Sequence, residues 1–318
     1  MPAVSFHLAE EDSAMTAATR DIAADITATI IAKLEAGTTP WQRPWSIIGE
    51  SGRPLRDEGV AYNGINALWL WATADTYGYQ SRYWMTARQA RELGGELRRD
   101  ARPSFSVYAS TFRKAGVPSL LGMSADRMIR FLRSYVVYNA DEITGLPDYY
   151  YPVPVPPTPR LLSDRQDRID AFFAAVPSKV RHGGHRAFFD PTFDYIQMPR
   201  PGSFRSADAY ASTLAHESCH WTGHHSRLDR TFGKRFGDKA YGVEELVAEV
   251  GSAMVCGDLG LATEIHDSHA SYLASWLGLL RADKTAIFLA ATKAEQAFSY
   301  LRAFSTEAVD AAATRLAA

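Results

Sequence analysis

Two histidines and a glutamate in one short segment have the spacing of a metal site on a helix. His216 and His220 are four residues apart, and Glu217 follows the first of them. On an α-helix this spacing places both imidazoles on one face, so both rings can bind a single tetrahedral ion. Glu217 is then placed to take a proton from a water on that ion. The segment therefore predicts a zinc site of the metallopeptidase type, with His216 and His220 as ligands and Glu217 as the catalytic base.

The same five-residue pattern also occurs by chance, as two surface histidines on an ordinary helix. The neighbouring residues favour the metal site. Tyr210, Leu214 and Ala215 are apolar, as a buried active-site helix requires. Gly223 can end this helix through a left-handed cap. We therefore expect a helix over residues 207 to 222 that carries the site.

A catalytic zinc ion takes a third ligand from the protein and leaves its fourth position for water. In metzincins this ligand is a histidine that would fall at position 226, where this chain has Ser226. His224 and His225 are close in sequence, but they would have to fold back from beyond the end of the helix. A surface or supporting role is the alternative for both, so the third ligand is expected elsewhere.

A downstream segment with three glutamates is the better source, because gluzincins take their third ligand from such a helix. Its acids are Glu244, Glu245 and Glu249. Glu245 and Glu249 are one turn apart on the same face, so one can bind the ion while the other orients a ligand histidine. We assign Glu245 to the metal and Glu249 to the supporting role. Glu244 points about 100° away from Glu245 and is expected to support the helix N-terminus. The alternative is that all three form a solvated face.

Length and composition predict two domains in an ordinary globular chain. The chain has 318 residues, of which 46% are hydrophobic and 22% charged, with a formal net charge of -2. Domains of about 150 residues are typical. The two cysteines, Cys219 and Cys256, do not make a disulfide framework, which indicates a reducing compartment. No targeting sequence or membrane-spanning run is evident, so we expect a cytoplasmic protein with no membrane partner.

The pattern of elements predicts an α+β first half and a mainly helical second half with a small antiparallel sheet. Expected helices of the first half cover residues 21 to 34, 66 to 77 and 86 to 93, and its strands cover 104 to 112 and 134 to 138. In the second half, helices are expected over residues 164 to 176, 207 to 222, 244 to 259, 268 to 280 and 284 to 304, with a hairpin of strands 187 to 190 and 195 to 198. The latter strand is a candidate sheet edge for an extended peptide.

Dense prolines between the halves predict a linker. The expected division is a lead-in over residues 1 to 18, a first domain over 19 to 150, a linker over 151 to 163 and a second domain over 164 to 318.

The first half also contains a local surplus of basic residues among aromatic ones. Between Arg82 and Arg133 there are eleven Arg or Lys residues and four acids. Cations that follow the phosphates, with aromatic rings that stack on bases, are typical of proteins that bind single-stranded nucleic acid. The alternative is a core sheet with a solvated basic face.

The chain resembles the ArdC family of antirestriction proteins over several segments. In the first half the resemblance covers the run TPWQRPW at residues 39 to 45, AYNGIN at 61 to 66, WMT at 84 to 86, LGG at 93 to 95 and VYNAD at 137 to 141. In the second half it covers residues 188 to 199, HESCHWTGHHSRLDR at 216 to 230 and EELVAE at 244 to 249. The resemblance departs at residues 98 to 101, where RRDA replaces a glycine-and-lysine turn, and in a longer basic insert over 113 to 133.

The resemblance implies an N-terminal domain that binds single-stranded DNA, a zincin-like metallopeptidase domain, and protection of incoming DNA against host restriction. Expected partners are single-stranded DNA and a protein substrate or a host restriction component. The expected cofactor is one Zn²⁺ ion, with Mn²⁺ as the alternative. The expected DNA contacts are Trp41, Arg43, Trp45, Tyr62, Asn63, Asn66, Arg82, Trp84, Arg88, Arg98 and Arg99. The competing hypothesis is an active zinc endopeptidase that its basic first domain only targets to DNA or to DNA-bound proteins.

Overall fold

The structure is a computed structural model that describes residues 21 to 41, 52 to 114, 127 to 152, 158 to 232, 239 to 261 and 269 to 316. The first half contains α1 (Ile22–Glu35), β1 (Leu55–Arg56), α2 (Ile65–Tyr77), β2 (Tyr83–Met85), α3 (Ala87–Glu92), β3 (Glu96–Leu97), β4 (Ser104–Lys114), β5 (Arg127–Asn139) and β6 (Ile143–Thr144). The second half contains α4 (Pro159–Ala175), β7 (Val180–His182), β8 (Phe188–Asp190), β9 (Tyr195–Met198), α5 (Ala207–Thr222), α6 (Lys239–Leu259), α7 (His269–Ala282) and α8 (Ala286–Leu316). The α+β fold class is confirmed.

The main sheet of the first half has the strand order β1, β2, β5, β4. Its longest pairing is the antiparallel ribbon of β4 and β5, which runs from Ser104 opposite Val137 to Lys114 opposite Arg127. The second of these strands is longer than expected, because it begins at Arg127 and not near residue 134. Arginines interrupt the apolar alternation of residues 127 to 133, so the sequence did not predict a strand there. In the structure, pairing with β4 extends the strand over these residues.

The small sheet of the second half has the order β7, β9, β8. β9 therefore lies in the middle, and the prediction that it forms the sheet edge is wrong. The edge next to the cleft described below is β8. The expected antiparallel sheet is mixed, because β7 pairs with β9 in parallel.

Helix α4 begins earlier than expected. Pro159 occupies its first turn, and the side chain of Thr158 accepts a hydrogen bond from the amide of Leu161 at 3.3 Å. Proline fits the first turn of a helix because the amide that it lacks would have no partner there. Residues 159 to 163, expected in the linker, are thus helical.

One hydrophobic cluster joins the two halves. It contains Ile26 and Ile30 of α1 and Leu68 of α2, together with Val250 of α6 and Ile287 of α8. All five side chains are fully buried. The two expected domains therefore share a core in the described part of the chain. Among the described residues, no helix combines the length and hydropathy that a membrane crossing would need.

A buried ion pair also connects the halves. Arg53, just before β1, donates to the carboxylate of Glu295 in α8 at 3.0 and 2.6 Å. The same guanidinium donates to the carbonyl of Tyr62 at 2.6 Å, and the amide of Gly64 donates to Glu295 at 2.8 Å. These contacts fix the loop before α2 against α8.

Candidate metal centre

Helix α5 carries the first part of the site, with the bounds that the sequence predicts. The side chain of Ser206 accepts a hydrogen bond from the amide of Ala209 and caps the helix start. Leu214 and Ala215 are buried, as expected of an active-site helix. Glu217 and His220 are also buried, with 7% and 8% of their surface exposed.

Gly223 ends the helix by a different mechanism from the one expected. Its φ of -78° lies in the right-handed region, so the predicted left-handed cap is wrong. A Cβ at this position would lie 2.8 Å from the guanidinium of Arg230 and 2.8 Å from the ring of Phe232. Glycine is thus required for the close approach of these side chains.

His216, His220 and Glu245 converge as the sequence predicts. The Nε2 atoms of both histidines lie 3.6 Å from the Glu245 carboxylate, and donor atoms of all three residues lie within 4.8 Å of one another. A tetrahedral ion bound at about 2.0 to 2.2 Å holds its donors about 3.3 to 3.6 Å apart. Two nitrogens and a carboxylate are also ligands that zinc accepts. The three side chains therefore fit one divalent ion.

Two further glutamates lie behind the histidines. Glu249 lies 3.6 Å from Nδ1 of His216, which is the supporting position expected for it. Glu244 lies 3.1 Å from Nδ1 of His220. Glu244 was expected to support the start of its helix, and this prediction is wrong. The helix begins five residues earlier, at Lys239, so Glu244 lies within it and faces His220.

Arg230 holds Glu244 in place. Its guanidinium donates to both carboxylate oxygens, at 2.9 and 2.8 Å, and to the carbonyl of Cys219 at 2.6 Å. Burial opposes ionisation of Glu244, but the hydrogen bonds from Arg230 and His220 hold its pKa below its usual range. Arg230 ends the HESCHWTGHHSRLDR run, but its role was not predicted from the sequence.

The carboxylates raise the pKa of both histidines. Burial by itself lowers the pKa of an imidazole, but the hydrogen bonds of His216 with Glu245 and Glu249 raise its pKa well above the usual value. Burial of His220 is likewise outweighed by Glu245 and Glu244, which raise its pKa to about 9. A metal ion must therefore displace protons from these rings.

Glu217 lies in the same cleft as the three candidate ligands His216, His220 and Glu245. Burial raises the pKa of its carboxyl group, against the opposing effect of His216 and His220. The backbone amide of Phe189 donates a hydrogen bond to it. This amide belongs to β8, so Glu217 connects α5 to the edge strand.

The cleft around these residues has a volume of about 730 Å³. One wall is aromatic and belongs to β8 and nearby segments, with Phe188, Phe189, Phe204 and Phe232. The cleft therefore has an apolar wall beside a cluster of charged groups, as ligand sites often do.

Two phenols line another side of the cleft. The hydroxyls of Tyr241 and Tyr272 are 2.9 Å apart, and Tyr241 also contacts the carboxylate of Glu245. Burial raises the pKa of both phenols, so both remain protonated donors. Tyr272 was not predicted as part of the site, because nothing local in the sequence connects α7 to it.

Three other polar side chains of the second half have contacts of their own. Arg227 donates to Asp194 at 3.1 and 2.5 Å and to the carbonyl of Trp221, so it supports the β8–β9 hairpin. His182 bonds to the hydroxyl of Tyr210 at 2.9 Å. His185 lines the rim of the cleft.

The structure separates the expected DNA contacts into buried and exposed residues. Trp41, Tyr62 and Trp84 are at most 3% exposed, so their rings cannot stack on a base, and we withdraw them as stacking residues. Asn66 exchanges hydrogen bonds with the backbone of Val107 at 2.7 and 2.8 Å, which attaches β4 to α2. This contact accounts for Asn66 structurally.

Other expected contacts lie at or near the surface. Asn63, Arg88, Arg98 and Arg99 are exposed, and Arg82 lies over the ring of Tyr83. Arg88 pairs with Glu92 at 2.8 Å. Arg43 and Trp45 lie outside the described residues.

Comparisons with known proteins agree with both halves of this structure. Residues 20 to 138 match the N-terminal domain of anti-restriction factor ArdC, and residues 167 to 293 match a zincin-like metallopeptidase family. The metal-free crystal structure of the antirestriction protein ArdC from plasmid R388 is 42% identical, with a TM-score of 0.75 over 90% of this chain and 98% of that one. The chain belongs to the ArdC family of antirestriction proteins.

Other similar proteins include one of comparable length and parts of longer proteins. The Mn(II)-bound structure of the R388 ArdC protein, also 42% identical, matches with a TM-score of 0.71 over the same shares of the two chains. The uncharacterized protein y4eC of Sinorhizobium fredii is 37% identical over 91% of this chain and 94% of its own length. Two DNA primases TraC of Escherichia coli are 36% and 34% identical, but the matches span only 28% and 20% of their lengths. An ArdC-like unit thus also forms part of longer proteins.

Proposed function

We propose that this chain is an antirestriction protein that binds single-stranded DNA through its first half and one divalent metal ion through its second. The main support is the similarity to the R388 ArdC protein, which extends through both halves. Zinc is the proposed ion, with manganese as the alternative that the Mn(II)-bound relative suggests.

The proposed ligands are His216, His220 and Glu245, with Glu217 as the proton acceptor. A bound divalent ion would lower the pKa of its water and polarise a peptide carbonyl. Glu249 orients His216, while Glu244 and Arg230 orient His220. Such supporting contacts fix the ring nitrogens that face the ion.

The cleft offers binding contacts for an extended peptide. β8 is an edge strand, so its outer backbone groups, apart from the Phe189 amide that donates to Glu217, can pair with an added strand. Phe188 and Phe189 place apolar surface beside that edge. Tyr241 and Tyr272 can donate hydrogen bonds to oxygen atoms in the cleft. We propose β8, in place of β9, as the strand that a peptide substrate would pair with.

A transfer assay tests the antirestriction function. Plasmid DNA would be conjugated into a restricting and a non-restricting host, with wild-type protein, no protein, or the Glu217→Gln variant in the donor. Wild-type protein should raise transfer only into the restricting host. Equal transfer with and without the protein across several restriction systems would contradict the proposal.

The second candidate is an active zinc endopeptidase, and the position of Glu217 beside the ligand cluster favours it. The Glu217→Gln variant should then lose cleavage of an unfolded protein such as casein while it keeps its metal. Protection of transferred DNA that survives this substitution would show that proteolysis is not needed for antirestriction.

A further inference from the structure

A second cavity, of about 400 Å³, lies in the first half of the molecule. It is bounded by the turn after β1, the start of α3 and one face of β5, and none of the described residues that line it also lines the metal cleft. Cavities of this size bind small ligands or single groups of larger ones.

Aromatic rings extend from this cavity onto the surface of the β4–β5 ribbon. Tyr135 lines the cavity, and its hydroxyl is within hydrogen-bonding reach of Tyr62. The ring of Tyr108 lies 6.2 Å from that of Tyr135 and is 45% exposed. Arg133 is paired directly opposite Tyr108 in the ribbon. Tyr108 thus provides a stacking surface beside Tyr135 of the cavity, next to a basic residue.

The charges of the cavity do not suit a phosphate group. Among the described residues, its lining has three carboxylates, Asp57, Glu58 and Glu92, and two arginines, Arg56 and Arg88. Arg88 donates to Glu92 at 2.8 Å, so the charges of these two side chains offset each other. A phosphate would meet repulsion from the carboxylates, whereas a neutral base can donate to carboxylates and accept from Arg56.

The cavity is preorganised by contacts within the protein. Asp57 accepts a hydrogen bond from Gln89 at 2.8 Å, and its carbonyl accepts one from the hydroxyl of Tyr150 at 2.9 Å. Thr86 and Gln89 form a capping box at the start of α3. These contacts fix polar groups before a ligand arrives, which lowers the cost of binding.

We propose that this cavity binds one unstacked nucleobase of single-stranded DNA, with a preference for bases that carry an exocyclic amino group. This proposal rests on the proposed DNA binding and adds the place where one base is bound. Carboxylates accept hydrogen bonds from the amino groups of cytosine, adenine and guanine, while thymine has none. Tyr108 stacks on the adjacent base, and the phosphate next to that base lies near Arg133, opposite Tyr108 in the ribbon.

The first test compares a fluorescent single-stranded oligonucleotide with a strand of equal length made of abasic sites, using the full chain. Tyr108→Ala should weaken binding of the normal strand at least about fivefold and leave the abasic strand unchanged. Tyr149→Ala, at another exposed tyrosine, is the matched control and should change neither. Arg56→Ala should weaken the normal strand more than the abasic one, whereas Arg91→Ala, an exposed charge on α3, should affect both equally.

Two results distinguish a failure of the base site from a failure of the proposed DNA binding itself. Equal losses on both strands, or no loss, for Tyr108→Ala and Arg56→Ala would overturn the base site while DNA binding stands. A wild-type protein that binds neither strand at low salt would overturn the DNA-binding proposal, and the base site with it.

A second test addresses the amino-group preference with oligodeoxycytidine and oligothymidine. The wild-type protein should bind the cytidine strand at least about fivefold more tightly. Glu58→Ala should reduce this ratio, and Glu96→Ala, which removes an exposed acid elsewhere, should preserve it. Equal affinity of the wild-type protein for the two strands would overturn the preference.

Discussion

The proposed metal centre depends on two carboxylates that lie behind its histidines. Glu244 and Glu249 each lie against the Nδ1 atom of one histidine, and that leaves both Nε2 atoms facing Glu245. Such partners fix the ring orientation and raise ligand basicity. The two glutamates differ in one respect, because Glu244 also compensates the buried charge of Arg230.

This difference predicts distinct effects of two substitutions. Glu249→Gln and Glu244→Gln should each weaken zinc binding by about 10- to 100-fold, measured by competition with a chromophoric chelator. Glu244→Gln should in addition lower the free energy of unfolding by about 3 to 5 kcal/mol in urea titrations, since Arg230 loses its partner. Unchanged zinc affinity in Glu249→Gln would contradict the supporting role.

Metal binding should depend on pH through the histidines. The pKa of His220 is raised from 6.5 to about 9 by its carboxylate neighbours, and that of His216 is also raised. In the metal-free protein, the contribution of these protonated histidines to folding stability is fully present below about pH 6.5 and is lost as the pH rises through about 9. Zinc displaces the same protons, so its affinity should rise over this interval by up to about tenfold per pH unit for each proton.

The measurement is a chelator-buffered zinc titration at several pH values, with the melting temperature of the metal-free protein followed in parallel. The variant His220→Gln is the control and should show a shallower dependence. An affinity that does not change with pH in the wild-type protein would contradict the assignment of these rings as ligands.

At the scale of elements, α5 and the residues after it must bring Arg230 back onto the helix end. Gly223 makes this possible because it leaves space for the guanidinium. Gly223→Ala should therefore lower the free energy of unfolding by about 1 to 3 kcal/mol. Gly202→Ala, where a Cβ meets nothing within 4 Å, is the matched control. Equal stability of the two variants in urea titrations would exclude this role of Gly223.

Local signals explain which elements were predictable. Helix α5 has a capping serine and a regular apolar face, and its predicted bounds agree with the structure. Strand β7 was not predicted, because Val180, Arg181 and His182 show no alternation of apolar and polar residues. It forms a strand through parallel pairing with β9. The role of Glu244 was missed for a similar reason, since the helix start at Lys239 has no clear sequence signal.

At the scale of the whole molecule, the shared core and the Arg53–Glu295 pair join halves that the proline-rich segment suggested were independent. The division at the linker therefore remains a proposal. We expect the full chain to unfold in one transition, with coincident melting curves from far-ultraviolet and near-ultraviolet circular dichroism. Two separated transitions would show that the halves fold independently.

We propose that His216, His220 and Glu245 bind one divalent ion. The decisive experiment is a crystal structure of the zinc-loaded protein, with anomalous scattering data collected at the zinc edge. We predict one anomalous peak at about 2.0 to 2.2 Å from Nε2 of both histidines and from a carboxylate oxygen of Glu245. A peak bound instead by His224 or His225, or no peak at this cleft in zinc-saturated crystals, would contradict the claim.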